Sequence, residues 1–193
     1  EYDAHGAGDT TTPRACRLTR RVDAPTLRAM IRNVIFAAPF PADITMRFVR
    51  AAARLDNIRL LGIVHTPPSG EDANIFHDYV RVTEPLDVND LIGATELLRR
   101  RHGAPFRIIG MLEALQVQLA QVRAHFGVPG TQPGVAELFR DKAKMKAALS
   151  AAGLPVARSR LVQALPEARD FVRQVGYPIV MKPPAGMGAK STF

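Results

Sequence analysis

The residues best equipped for chemistry lie near the end of the 193-residue chain, in Lys182-Pro183-Pro184-Ala185-Gly186-Met187-Gly188-Ala189-Lys190-Ser191-Thr192. Two glycines within three residues let backbone N–H groups approach and wrap an anion, and a lysine at either end supplies positive charge. Lys190-Ser191 matches the last two positions of a P-loop. That motif also needs glycine directly before the lysine and again six residues before it. Ala189 and Pro184 occupy those places, and the Thr192-Phe193 ending favours a strand where a P-loop requires a helix. The stretch is therefore read as an anion-binding loop of another kind.

Lys182 strengthens that reading. In 179–182, Ile179 and Met181 share one face of an expected strand while Val180 and Lys182 share the other. A lysine facing inward at the end of a buried strand is costly unless an anion meets it. Lys142 lies in the first turn of an expected helix, beside the stripe of Met145 and Leu149, from which it can reach a cleft; a surface lysine near a helix start is the alternative. Lys144 points away from that stripe. Glu113 follows an expected strand and places a favourable charge in the first turn of a helix. The loop 39–45 leaves the first strand at the end where open α/β sheets commonly bind ligands, but it has no glycine for a dinucleotide site. His5, His65, His77, His102 and His125 show no metal-ligand spacing and are read as surface residues. A single cysteine, Cys16, excludes an internal disulfide or a Cys-pair zinc site.

Charge points to the same region. The chain carries a net charge of +8. Residues 131–193 hold 10 basic and 4 acidic side chains, including all five lysines, whereas 31–130 hold 11 and 10. Such a basic segment suits polyphosphate, whether nucleotide or nucleic acid. Single-strand binders interleave aromatics with basic residues for stacking. Here 131–193 contain only Phe139, Phe171, Tyr177 and Phe193, at apolar positions, which favours a nucleotide. Arg99-Arg100-Arg101 sits at an expected helix end, complementing the helix dipole. Hydrophobic residues make up 47% and charged ones 23%, ordinary for a soluble globular protein. The longest apolar run, 34–40, falls far short of the roughly 18 residues that span a bilayer. The first 30 residues lack the apolar segment of a secretory signal. A reducing cytoplasm fits.

The elements that must position these residues alternate between strand and helix. Apolar runs predict strands at 33–38, 60–64, 79–82 and 106–109. Phe48, Ala52 and Leu55 recur at helical spacing after the first; Asp87 can cap a helix carrying Leu91 and Leu98 before the fourth. This order predicts a parallel sheet with helical crossovers. Leu112, Leu115, Leu119, Val122 and Phe126 then form an apolar helical stripe. Gly127, Pro129, Gly130, Pro133 and Gly134 mark an expected domain boundary. Beyond it, Asp141 can cap a helix with Met145, Ala148, Leu149 and Ala152 on one face; a strand at 157–162, a helix at 166–175 and a strand at 179–182 complete the pattern.

The order Arg140-Asp141-Lys142, Ala152-Gly153-Leu154-Pro155, Gly176-Tyr177-Pro178-Ile179-Val180-Met181-Lys182-Pro183 and then the glycine loop resembles the ATP-grasp superfamily, especially its biotin carboxylase and carbamoyl-phosphate synthase-like branches. The resemblance covers about 128–192. Residues 1–30 show no sustained period and read as a loosely ordered extension; after them the resemblance implies an α/β fold, with a parallel-sheet domain of the kind that precedes ATP-grasp folds at 31–130 and the first part of an ATP-grasp nucleotide lobe at 131–193. It further implies an ATP-dependent ligase that activates a carboxylate as an acyl phosphate for attack by an amine or similar nucleophile. Lys142 and Lys182 would then bind ATP phosphates, with Gly186, Met187, Gly188, Ala189, Lys190 and Ser191 forming the loop over them and Glu113 near the substrate. The family often has Ser or Gly in place of Ala189 and Gly in place of Ser191. Magnesium ligands are expected beyond Phe193, so the chain reads as an N-terminal fragment, inactive alone and compatible with a homodimer. The alternative is a non-catalytic nucleotide- or nucleic-acid-binding module that uses the basic last third.

Overall fold

The computed structural model describes residues 31–186 and residue 193. The extension expected at 1–30 lies outside the described residues. Among these, four strands form one sheet: β1 (Arg32–Ala37), β2 (Ile58–Val64), β3 (Asp78–Arg81) and β4 (Pro105–Gly110), in the order β3-β2-β1-β4. Every pairing is parallel. Because β2 and β4 leave β1 on opposite sides, the carboxyl ends of β1 and β4 meet at the point where open α/β sheets form a crevice.

Both faces of the sheet are covered, as parallel sheets require. On one face Ile35, Ala37, Leu61, Ile63 and Ile108 pack under α2 (Val88–His102) and α3 (Gln116–His125). On the other, Val34, Phe36, Ala38, Leu60 and Val64 pack under Met46 and Val49 of α1 (Asp43–Ala53), with Phe76 beside them. The α1 helix stands where its spacing placed it, but a different face is inward. Phe48 and Leu55 are 46% and 61% exposed, while Thr45, Met46 and Val49 are buried. The crossover from β1 to β2 fixes which side of the helix meets the sheet, and Leu55 falls beyond the helix end.

The expected stripe after β4 is buried. It begins as a 3-10 turn (Glu113–Leu115) that runs into α3, and Leu115, Leu119 and Val122 are almost inaccessible, with Leu112 and Phe126 packed against them. Burying each of the three is worth at most roughly 1.5–3 kcal/mol. Asp87 caps α2 by accepting from the N–H of Asn89 (2.7 Å) and Asp90 (3.0 Å). Gly103, at φ 91°, turns the chain out of α2 and gives its N–H to Arg99 O. Arg99 and Arg100 of that last turn pair with Glu96. His102 departs from the surface reading. Its side chain is 16% exposed and its Nε2 lies 2.7 Å from Asp78 Oδ2 at the start of β3.

The remainder is helical. It comprises α4 (Pro133–Arg140), α5 (Lys142–Ala151) and α6 (Leu165–Val175). α4 packs on α3 and α5 packs on α4. Arg123 of α3 ties the intervening turn down by donating to Ile108 O (3.1 Å) and Thr131 O (3.4 Å). The strands expected at 157–162 and 179–182 do not form among the described residues, since no neighbouring strand pairs with either run. A strand is made by its ladder, and an apolar run without a partner stays irregular. The expected apolar face of α5 is also not sealed: Met145 is half-buried, while Ala148, Leu149 and Ala152 are exposed.

Gly110 ends β4 in a position with no room for a side chain. A Cβ there would lie 2.7 Å from Leu119 Cδ1 and 3.1 Å from the Ala37 carbonyl oxygen. Gly110→Ala should therefore destabilise by about 1–3 kcal/mol, a fall in Tm of roughly 2–12 °C. Gly93, exposed on α2, has no heavy atom within 4 Å of such a Cβ. Gly93→Ala should raise stability by about 0.5–1 kcal/mol. Thermal melts of the two variants should move in opposite directions; a Gly110→Ala melt equal to wild type would contradict this packing.

Candidate functional site

Three segments far apart in sequence converge where α4 passes into α5: the 3-10 turn after β4, the Arg140-Asp141-Lys142 corner, and the first residues of the glycine loop. The corner is built by Asp141, which ends α4 and caps α5. Its Oδ1 accepts from the N–H of Ala143 (2.8 Å) and Lys144 (3.0 Å). The Lys142 N–H donates to Pro184 O at 3.1 Å. The first N–H groups of α5 are thus already bonded, so an anion here must be held by side chains.

Two side chains are aimed for it. Lys142 Nζ donates to Gly186 O at 3.2 Å and Pro184 O at 3.4 Å. Arg140 Nη1 donates to the same Gly186 O at 3.2 Å and lies 3.4 Å from Glu113 Oε1. Two cations share one carbonyl oxygen, an arrangement that suits a charged phosphate oxygen better than a neutral acceptor. Lys144 points away, as expected, and pairs with Glu137 at 2.9 Å.

The structure thus brings together Lys142, Gly186 and Glu113 from the expected set. Lys182 stands apart: it is exposed and lies in an irregular segment, so the argument from an inward-facing strand lysine does not hold. It borders the loop's mouth, where the neighbouring Met181 and Phe193 exchange hydrogen bonds of 2.8 and 2.9 Å. Met187, Gly188, Ala189, Lys190 and Ser191 lie outside the described residues. Residue type alone does not mark Arg140; its place directly before Asp141-Lys142 is the available signal. Among the described residues no three His, Cys, Asp or Glu side chains gather as metal ligands, and no helix is long and apolar enough to cross a membrane.

The chain is similar in sequence and fold to several known proteins. Residues 141–192 match the family "Carbamoyl-phosphate synthase L chain, ATP binding domain". The chain is 41% identical over 59 residues to the carbamoyl phosphate synthase large chain of Pseudothermotoga lettingae, covering 31% of this chain and 5% of that protein. It is 30% identical over 118 residues to the L-arginine-specific L-amino acid ligase of Bacillus subtilis, covering 60% and 28%. The fold is similar to that of the L-amino acid ligase from Bacillus licheniformis, with TM-score 0.65, 16% identity and coverage of 80% of this chain and 38% of that one. It is also similar to N5-carboxyaminoimidazole synthetase from Staphylococcus aureus complexed with ADP, with TM-score 0.58, 17% identity and coverage of 82% and 40%. The chain therefore spans well under half the length of these relatives.

The capping carboxylate gives the corner a pH dependence. The Lys144 N–H foremost, then the Ala143 N–H and the charges of Lys144 and Lys142, hold the Asp141 carboxyl below its ordinary range against the effect of burial. A carboxyl lowered in the folded state contributes its full stability above its unfolded pKa of about 3.9. That contribution is lost as pH falls through the folded value. Asn caps as well as Asp does. Asp141→Asn should therefore keep the pH 7 melting temperature while losing less than wild type between pH 5 and pH 2, and Asp141→Ala should melt lower already at pH 7. Circular-dichroism melts across that range check this; Asp141→Ala matching wild type at pH 7 would contradict the cap.

Proposed function

From the relationship of this chain to the ATP-grasp ligases, we propose that the Arg140-Asp141-Lys142 corner and the loop beginning at Lys182 hold the phosphates of ATP, in an enzyme that joins a carboxylate to an amine or similar nucleophile. The observation that carries this reading is the convergence of Lys142 and Arg140 on the Gly186 carbonyl, with Lys142 and Gly186 inside the stretch that matches an ATP binding domain and Arg140 directly before it.

The resemblance to ATP-grasp ligases implies the chemistry. A carboxylate oxygen attacks the γ-phosphorus, the bond to the β-phosphate oxygen breaks, and ADP leaves with that electron pair. The nucleophile then attacks the acyl carbon and inorganic phosphate leaves. Phosphoryl transfer of this kind depends on positioning and charge stabilisation. Lys142 can exchange its two carbonyl acceptors for a phosphate oxygen without crossing the site. Lys182 is exposed at the loop's mouth, and the resemblance to ATP-grasp ligases implies that it binds the same phosphates. The loop residues Met187, Gly188, Ala189, Lys190 and Ser191 would supply main-chain donors. Magnesium would neutralise phosphate charge, but the described residues offer no metal-ligand cluster and no step is assigned to it.

A charge-assisted hydrogen bond contributes about 1.5–3 kcal/mol. Lys142→Ala and Lys182→Ala should each weaken magnesium-ATP binding roughly 10- to 150-fold, while Lys144→Ala should leave it nearly unchanged. Calorimetric titration of the full chain measures this. Equal affinities for wild type and all three variants, or no binding by wild type, would overturn the reading.

A further inference from the structure

Lys142 and Arg140 bond the same oxygen, yet their surroundings differ. The other acceptor of Lys142 is also a main-chain carbonyl, Pro184 O, and among the described residues no carboxylate pairs with its ammonium. A phosphate oxygen, carrying charge, competes strongly with neutral carbonyls for such a cation. Arg140 is held from its far side. Its side chain is 19% exposed and its Nη1 lies 3.4 Å from Glu113 Oε1.

Glu113 belongs to the 3-10 turn whose Leu115 is fully buried in the core under the sheet. Arg140 therefore joins that turn, 27 residues earlier, to the loop stem at Gly186, 46 residues later. Both acceptors are served by one nitrogen, which carries two N–H groups.

We infer that Arg140 is a positioning residue: anchored by Glu113, it fixes the Gly186 carbonyl and with it the stem of the loop, so that Lys142 can turn to a phosphate while the stem stays in place. The part that concerns phosphate rests on the nucleotide reading above; the Glu113–Arg140–Gly186 link does not. This assigns Glu113 to the support of Arg140 in place of substrate contact.

Two measurements on the full chain separate the claims. The first is amide hydrogen exchange without nucleotide at Lys142 and Gly186, whose N–H groups donate to Pro184 O and Pro183 O. Arg140→Met, which removes the donor, and Glu113→Gln, which keeps an oxygen acceptor but removes its charge, should each accelerate exchange there, by up to roughly 2- to 12-fold for one lost or weakened hydrogen bond. Arg140→Lys, whose ammonium can still donate to both acceptors, should restore much of the protection. Unchanged exchange in both Arg140→Met and Glu113→Gln overturns the inference whether or not ATP binds. The second is magnesium-ATP titration. If Arg140 acts through its anchor, Glu113→Gln weakens binding, and the double variant Glu113→Gln/Arg140→Met binds no worse than Arg140→Met alone. Were Arg140 instead a direct phosphate ligand, Glu113→Gln would leave affinity unchanged or raise it, and the positioning role would be refuted. Failure of wild type to bind ATP sinks the nucleotide reading, while the exchange comparison still decides the role of Arg140.

Discussion

The arrangement depends on one constraint: β1 is paired in parallel on both edges and buried on both faces. Parallel neighbours cannot be joined by a tight hairpin, so each connection must cross over a face of the sheet. With β2 on one side and β4 on the other, those crossovers need helices on both faces. α1 covers one face, and α2 with α3 covers the other. The same constraint leaves the carboxyl ends of β1 and β4 side by side, with the turn carrying Glu113 starting there. Gly110 is the closest point of this packing, where the backbone of β1 and a leucine of α3 leave no space for a methyl group.

From that core the order is passed outward by a few polar contacts. Arg123 bonds the Ile108 carbonyl of β4 and the Thr131 carbonyl in the turn before α4. α4 therefore starts from a fixed point and delivers Arg140 at its end. Asp141 then serves as the end of one helix and the cap of the next, which sets Lys142 beside Arg140. Neither cation lies in the apolar core, where an unpaired charge would be prohibitive. Lys142 is instead bonded to main-chain oxygens of the loop stem, the kind of acceptor that a phosphate can replace, and Arg140 to the Gly186 carbonyl and the Glu113 carboxylate.

Much of this was legible in the sequence because parallel strands are buried on both faces and read as short unbroken apolar runs bounded by turn residues. All four strands of the sheet, the caps at Asp87 and Asp141, and the stripe from Leu112 to Phe126 followed from local pattern alone. Non-local facts were harder to read. α1 carries apolar residues on two sides, and Phe48 is larger than Thr45, yet the crossover buries Thr45. The runs 157–162 and 179–182 have strand composition, but composition does not supply a ladder partner, and the argument for Lys182 from burial fell with the strand. In the site, Lys142 and the glycine loop stood out through residue type. Arg140 did not, because its importance comes from acceptors 27 and 46 residues away.

The central claim is that the corner between α4 and α5, with the loop stem it holds, is where this chain meets the phosphates of a nucleotide. Amide chemical-shift mapping with ATP and with adenosine tests it most directly, because the two ligands share the base and sugar and differ in the phosphates. The account predicts that ATP shifts the amides of Lys142, Ala143, Ala185 and Gly186 and that adenosine at the same concentration leaves them in place. ATP-induced shifts confined to the carboxyl ends of β1 and β4, or equal shifts at the corner from ATP and adenosine, would contradict it.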